Sequence, residues 1–197
     1  MDYSLSPHIE TERYRAILQA AERLFLEKGY HTVSIEQIAD VAGVSKGLVH
    51  YHFINKEKLL VCILKDMLAK LSTRLDDIAE SNETAQSKIR LAIKSYLDLA
   101  SSRLELARIM IFEDVLTEET KNNLVILMEE NMLKLAGLVE AGTSKGEFKP
   151  VNSRLVANLM TGAIIEVVRE AAIQQRELQS EELAAEIVEV LCGGINR

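Results

Sequence analysis

Lys46 and His50 stand four residues apart in the stretch Lys46-Gly47-Leu48-Val49-His50, with Tyr51, His52 and Lys56 close behind. A lysine ammonium can donate to guanine O6 and N7 in a major groove, or to a phosphate oxygen. An imidazole is neutral or charged near pH 7 and can donate to a base acceptor. All four histidines (His8, His31, His50 and His52) precede Phe53. The chain has no Gly-rich phosphate loop, no HExxH and no nucleophile elbow. Glu113-Asp114 is an acidic pair in an apolar run; it could meet a cationic ligand, or mark the exposed end of a helix. Cys62 and Cys192 are far apart and in no CxxC or Cys/His spacing, so they read as small buried hydrophobes. No metal, no cofactor and no catalytic residue are expected, and the chain is not read as an enzyme.

These donors need elements to aim them. Ser34 is a good N-cap, and Gln37 three residues on completes a capping box for a helix starting at Ile35. Ile38, Ala39 and Ala42 form its inner face. Gly43 ends it, because the chain leaves through a left-handed residue. Ser45 caps a second helix, Lys46 to about His52. Ala39 falls where two helices cross closely, Gly43 in the turn and Val49 on the buried side of the second helix. That register, over about residues 34–53, is the helix-turn-helix pattern; an ordinary αα-hairpin is the plainer alternative.

The continuation narrows the choice. Ile38-Ala39, Ala42-Gly43-Val44-Ser45-Lys46-Gly47, Tyr51, Phe53, and Lys56-Glu57 followed by Leu59 resemble the TetR family of bacterial transcriptional regulators, over roughly Thr11 to Leu60. Beyond that stretch the likeness is architectural only. The family often has Thr and Tyr where this chain has Leu48 and His50, so its base readout is its own. The resemblance implies that Lys46, Gly47, Leu48 and His50 meet base edges. Lys46 could instead touch only phosphate. Gly47 would let the backbone approach the duplex, and Leu48 could offer apolar contact to a thymine methyl. Ser34, Ser45, Tyr51, His52 and Lys56 are expected on phosphate. The resemblance also implies a homodimer through an antiparallel four-helix interface of the last two helices. Leu155, Leu159, Gly162, Ala163, Val167, Leu183, Ile187 and Leu191 are the expected contacts. The remaining helices would enclose a small-molecule effector, with Met67, Leu71, Met110, Phe112, Met128, Met132 and Met160 as candidate lining.

Length, composition and charge agree with that frame. The chain has 197 residues, 48% hydrophobic content, two prolines and nine glycines, which leaves room for long helices. The net charge of −7 argues on its face against nucleic acid. Up to Lys56, however, six Lys/Arg face seven Asp/Glu, and the excess acid lies beyond; DNA affinity depends on local cations. No apolar run approaches the roughly 20 residues needed to span a bilayer, and the N-terminus does not read as a signal peptide. A cytoplasmic protein with no membrane partner is expected.

The periodicity predicts an all-α fold of about nine helices. A three-helix bundle carrying the helix-turn-helix would be joined by a long helix, Lys56 to about Ile78, to a helical ligand-binding and dimerisation domain. The expected domains are residues 10–70 and 71–197. Helix 1 should run from Thr11 to Lys28 after a loose arm. Later helices are expected over residues 84–101, 104–116, 117–141 and from Asn152, with the last starting at Ser180. The expected function is a homodimeric repressor, released from a pseudo-palindromic operator by a small apolar ligand. The alternatives are an activator without an effector, or a helical carrier of apolar ligands with a vestigial head.

Overall fold

The computed structural model describes residues 7–112 and 115–195, with side chains for residues 11–110 and 115–195. Among the described residues the chain forms nine α-helices and no strand. They are α1 (Pro7–Lys28), α2 (Ile35–Ala42), α3 (Lys46–His52), α4 (Lys56–Glu80), α5 (Ala85–Ser102), α6 (Leu104–Phe112), α7 (Glu118–Ser144), α8 (Ser153–Gln174) and α9 (Ser180–Gly193). The chain divides into two compact units, one ending at Lys65 and the other beginning at Asp66. The boundary lies inside α4, short of the expected residue 70.

Unit 1 is built on α1, which buries Ile17, Ala21, Leu24 and Phe25. α2 contributes Ile38 and Ala39, α3 contributes Val49, and the start of α4 adds Leu59, Leu60, Ile63 and Leu64. α1 begins at Pro7 instead of Thr11; proline suits a first helical turn, where its missing N–H costs no hydrogen bond. Phe53 is buried and stacks on Tyr14 at 4.9 Å between ring centroids.

Unit 2 has an aliphatic core. Ile89, Ala92, Ile93 and Leu97 of α5 meet Leu135, Leu138 and Val139 of α7, Ala157, Met160 and Ile164 of α8, and Ala184, Val188 and Cys192 of α9. The caps are local side-chain acceptors: Thr84 for Ser87 N–H, Thr117 for Thr120 N–H and Asn152 for Leu155 N–H. The buried Lys88 reaches the other way and donates to the Ala79 carbonyl at the end of α4. Both cysteines are free thiols, and burial pushes that of Cys192 up to about 11.

One helix end differs from expectation for a clear reason. α7 continues through Gly142 to Ser144, so Gly142 does not terminate it. A Cβ at Gly142 would stand 2.5 Å from the Phe148 ring and 2.6 Å from Ala85 Cβ. Glycine is there because α5 and the chain after α7 pack against the bare backbone. At Gly137, in the same helix, a Cβ would meet nothing within 4 Å. Gly142→Ala should therefore destabilise by about 1–2 kcal/mol, as overpacking outweighs the gain in helix propensity. Gly137→Ala should stabilise by up to about 1 kcal/mol. Urea unfolding of both variants checks the pair; equal shifts of one sign would contradict the packing explanation.

Candidate nucleic-acid interface

The helix-turn-helix closes by local chemistry. Ser34 Oγ accepts from Gln37 N–H at 3.2 Å, and Gln37 Oε1 accepts from Ser34 N–H at 2.8 Å, a complete capping box. Gly43 sits at φ 65°, in the left-handed region that favours glycine, and Val44 N–H returns to the Ala39 carbonyl at 3.0 Å. Ser45 Oγ then accepts from Leu48 N–H at 3.2 Å and starts α3. A serine that caps as an acceptor keeps its own hydroxyl proton to donate, so capping leaves Ser34 and Ser45 able to reach a phosphate.

α3 buries Val49 and presents Lys46, Gly47, His50 and Tyr51 to solvent, with Leu48 half-buried. Tyr51 is 73% exposed, which leaves its hydroxyl available as a donor. At Gly47 the nearest atom to an added Cβ would be Ser45 Oγ at 3.9 Å. The fold thus accommodates a larger residue there, and the open backbone is left facing outward.

Three of the expected contacts already have partners or packing within the chain. Lys46 is ion-paired with Glu36 of α2, and both side chains are more than half exposed. That bond is the largest cause holding the Glu36 carboxyl down at about 2. Glu36 uses one of the three donors of the Lys46 ammonium and offsets its charge, which weakens its attraction to DNA. His52 is packed edge-on against Tyr14 and Tyr51, and its Nε2 is buried without a hydrogen-bond partner, so that nitrogen cannot reach a phosphate. Lys56 is turned inward. Its Nζ donates to the carbonyls of Tyr30 at 2.7 Å, His31 at 3.4 Å and Val33 at 3.0 Å, and lies 4.4 Å from the centre of the Tyr30 ring. An ammonium has three donors, and all three are used. Burial lowers its pKa. Neither Glu36 nor the Tyr30–Val33 carbonyls carry a signal in the sequence, because both contacts join residues ten or more positions apart.

The other candidates fall in unit 2. Met67, Leu71, Met132 and Met160 are buried among core residues, Met110 is half-buried and Met128 is 37% exposed. They are not gathered around one described cleft. The side chain of Phe112, with Glu113 and Asp114, lies outside the described residues. On α8, Leu155 and Leu159 are each 54% exposed, and an added Cβ at Gly162 would meet nothing within the chain. Ala163, Val167, Leu183, Ile187 and Leu191 are half-buried; the last four pack against the core of unit 2.

These placements separate two kinds of lysine. Glu36→Gln should free Lys46 and remove a carboxylate from the exposed face. Operator binding should tighten several-fold, with a salt slope steeper by about one unit. Lys56→Met should leave the slope unchanged and lower the melting temperature, at a cost of about 1–2 kcal/mol. Titrations by fluorescence anisotropy at several salt concentrations, with thermal melts, distinguish the two. A slope reduced by Lys56→Met would restore that residue to the phosphate contacts.

Comparison with known proteins agrees with this geometry. The profile for bacterial regulatory proteins of the tetR family matches residues 17–62, and that for the tetracyclin repressor-like C-terminal domain matches residues 82–195. The chain is 26% identical over 186 residues to the fatty acid metabolism regulator protein of Bacillus subtilis, covering 93% of this chain and 96% of that one. It is 28% identical over 107 residues to the HTH-type transcriptional activator FasR of Mycolicibacterium smegmatis, 54% of this chain and 49% of that one. The crystal structure of FadR from Bacillus subtilis in complex with stearoyl-CoA superposes with a TM-score of 0.78 at 27% identity, covering 93% of this chain and all of that one. With both the head and the whole C-terminal unit matched, the chain belongs to the TetR family of bacterial transcriptional regulators.

Proposed function

We propose that this regulator is a homodimeric repressor released from its operator by a long-chain fatty acyl-CoA. The observation that carries the reading is the end-to-end likeness, in sequence and in fold, to a fatty acid regulator whose crystal structure holds stearoyl-CoA. The likeness spans the C-terminal unit as well as the head, and the C-terminal unit is where an effector discriminates one regulator from another. A partial match to a protein described as an activator supports a second reading, in which ligand strengthens DNA binding.

The head supports sequence-specific binding in the ordinary helix-turn-helix manner. Lys46, Gly47, Leu48 and His50 of α3 read base edges, while Ser34, Ser45 and Tyr51 fix the register on phosphates. The exposed Leu155, Leu159 and Gly162 on α8 support a two-fold apolar interface. A two-fold dimer reads two half-sites about one helical turn apart, roughly 34 Å, or somewhat more.

Selection from a random DNA pool should yield a pseudo-palindrome. Stearoyl-CoA should then lower affinity for that site at least ten-fold, while CoA alone and stearate do not. Tighter binding with stearoyl-CoA would favour the activator reading, and no effect of any acyl-CoA would overturn the ligand assignment. The dimer is tested separately. Leu155→Asp with Leu159→Asp alters two side chains already exposed in the single chain, so the core should survive. Sedimentation should show a folded monomer with greatly weakened operator binding; an unchanged dimer would place the interface elsewhere.

A further inference from the structure

Asn131 is a buried amide with one half unused. It is 2% exposed. Its Nδ2 donates to the Leu68 carbonyl of α4 at 3.1 Å, which fixes the orientation of the amide, and its Oδ1 is buried with no hydrogen-bond partner. Buried polar atoms are almost always paired, so an orphan acceptor asks for a donor. Asn131 lines a cleft of about 300 Å3 between α4 and α7, with Leu68, Ala69, Ser72, Thr73, Leu127 and Glu130.

The next cleft along the same two helices has a different character. It holds about 270 Å3 and is lined by Lys88, Lys134 and Lys145 against a single acid, Asp76. Its floor is small or apolar: Leu75, Ala79, Ala85, Gly137, Leu138, Ala141 and Gly142. Lys134 stands between the two clefts, with its Nζ held by the Ser72 carbonyl and Asp76. On α7, Asn131, Lys134, Leu138, Ala141 and Lys145 follow one another at helical spacing and share a face. From Asn131 to Lys145 that face is about 21 Å long.

We propose that this α4–α7 groove is the seat of the phosphopantetheine portion of the effector, with an amide N–H of the ligand on Asn131 Oδ1 and its phosphates over Lys134 and Lys145. The chemistry fits the two ends in turn. Near Asn131 the wall carries the Glu130 carboxylate, which repels an anion, and the hydroxyls of Ser72 and Thr73, which can partner a neutral amide. Near Lys145 the three lysines suit phosphate. Phosphopantetheine has that order of groups: amides along the arm and phosphate at the end. When phosphate takes Lys134, it draws the ammonium from Ser72 and Asp76, and one clamp of α7 on α4 is released.

This site rests on the acyl-CoA reading above, and the experiment separates the two. Calorimetric titrations use stearoyl-CoA below its micelle concentration, CoA alone and stearate. Asn131→Leu, and Lys134→Gln with Lys145→Gln, should each raise the Kd for stearoyl-CoA at least ten-fold. The lysine pair should also flatten its salt dependence. Any binding of stearate should be unchanged, since stearate has neither amide nor phosphate. In the unaltered chain, stearoyl-CoA should slow acetylation of Lys134 and Lys145 several-fold, read by mass spectrometry, and leave Lys65 unaffected; this holds even if a variant folds poorly. Wild-type affinity in both variants, or unprotected lysines under saturating stearoyl-CoA, overturns the groove while leaving the acyl-CoA reading in place. A wild-type chain that binds no acyl-CoA overturns both.

Discussion

The DNA-reading head is governed by helix length. α2 has 8 residues and α3 has 7. Isolated helices shorter than about 12–15 residues are marginal in water, because few hydrogen bonds form for the backbone order they require. Neither helix can hold its shape alone, so each open end must be satisfied by something else. Ser34 and Gln37 close the start of α2, Gly43 turns its end, and Ser45 starts α3. The remaining gap is the link between α1 and α2, whose carbonyls of Tyr30, His31 and Val33 converge on Lys56. One ammonium satisfies three of them and lies over the Tyr30 ring. Burying a charge is costly without partners; here the cost is offset by three charge-assisted bonds. The same bonds tie the first turn of α4 to the rest of unit 1, and so fix where α3 can point.

How much of this the sequence revealed follows from the range of each interaction. Caps act over three residues, so Ser34 and Ser45 could be read directly, and the helices they start agree with expectation. The apolar periodicity located every helix in the described residues for the same reason. Contacts between distant residues left no such mark. Lys56 could be recognised as a cation near the recognition helix, but its direction depends on carbonyls more than twenty residues earlier. Glu36 could be recognised only as an acid in a first turn, until α3 brings Lys46 beside it. Gly142 was legible as a glycine near a helix end. That its role is to admit Phe148 depends on a loop that folds back after Gly146.

Unit 2 shows why the candidate pocket was harder to place than the head. A methionine reads alike whether it fills a core or lines a cavity, because both environments are apolar and irregular. Met132 and Met160 turned out to be core residues. The informative residue was a polar one. Asn131 follows Glu129 and Glu130 in α7 and by sequence could be an exposed side chain. Burial changes its meaning, because an amide in the interior must account for both its donor and its acceptor.

The size of the regulatory effect can be set against these contacts. A hundred-fold change in operator affinity corresponds to about 2.7 kcal/mol of difference in ligand affinity between the two states. A hydrogen bond to a neutral partner contributes about 1 kcal/mol net, and one involving a charge about 1.5–3. Asn131 to the Leu68 carbonyl is a bond of the first kind, Lys134 to the Ser72 carbonyl one of the second, and Lys134 to Asp76 a solvent-screened ion pair. They attach α7 to the part of α4 that belongs to unit 2. On the acyl-CoA reading, a ligand that exchanges the lysine contacts for its own phosphate supplies part of that difference, because the exposed Lys134–Asp76 pair contributes only about 0–1 kcal/mol, and the ligand's other contacts supply the rest. The polar contacts of α7 on α4, few as they are, therefore set part of the energy with which the C-terminal part of α4 is held within unit 2.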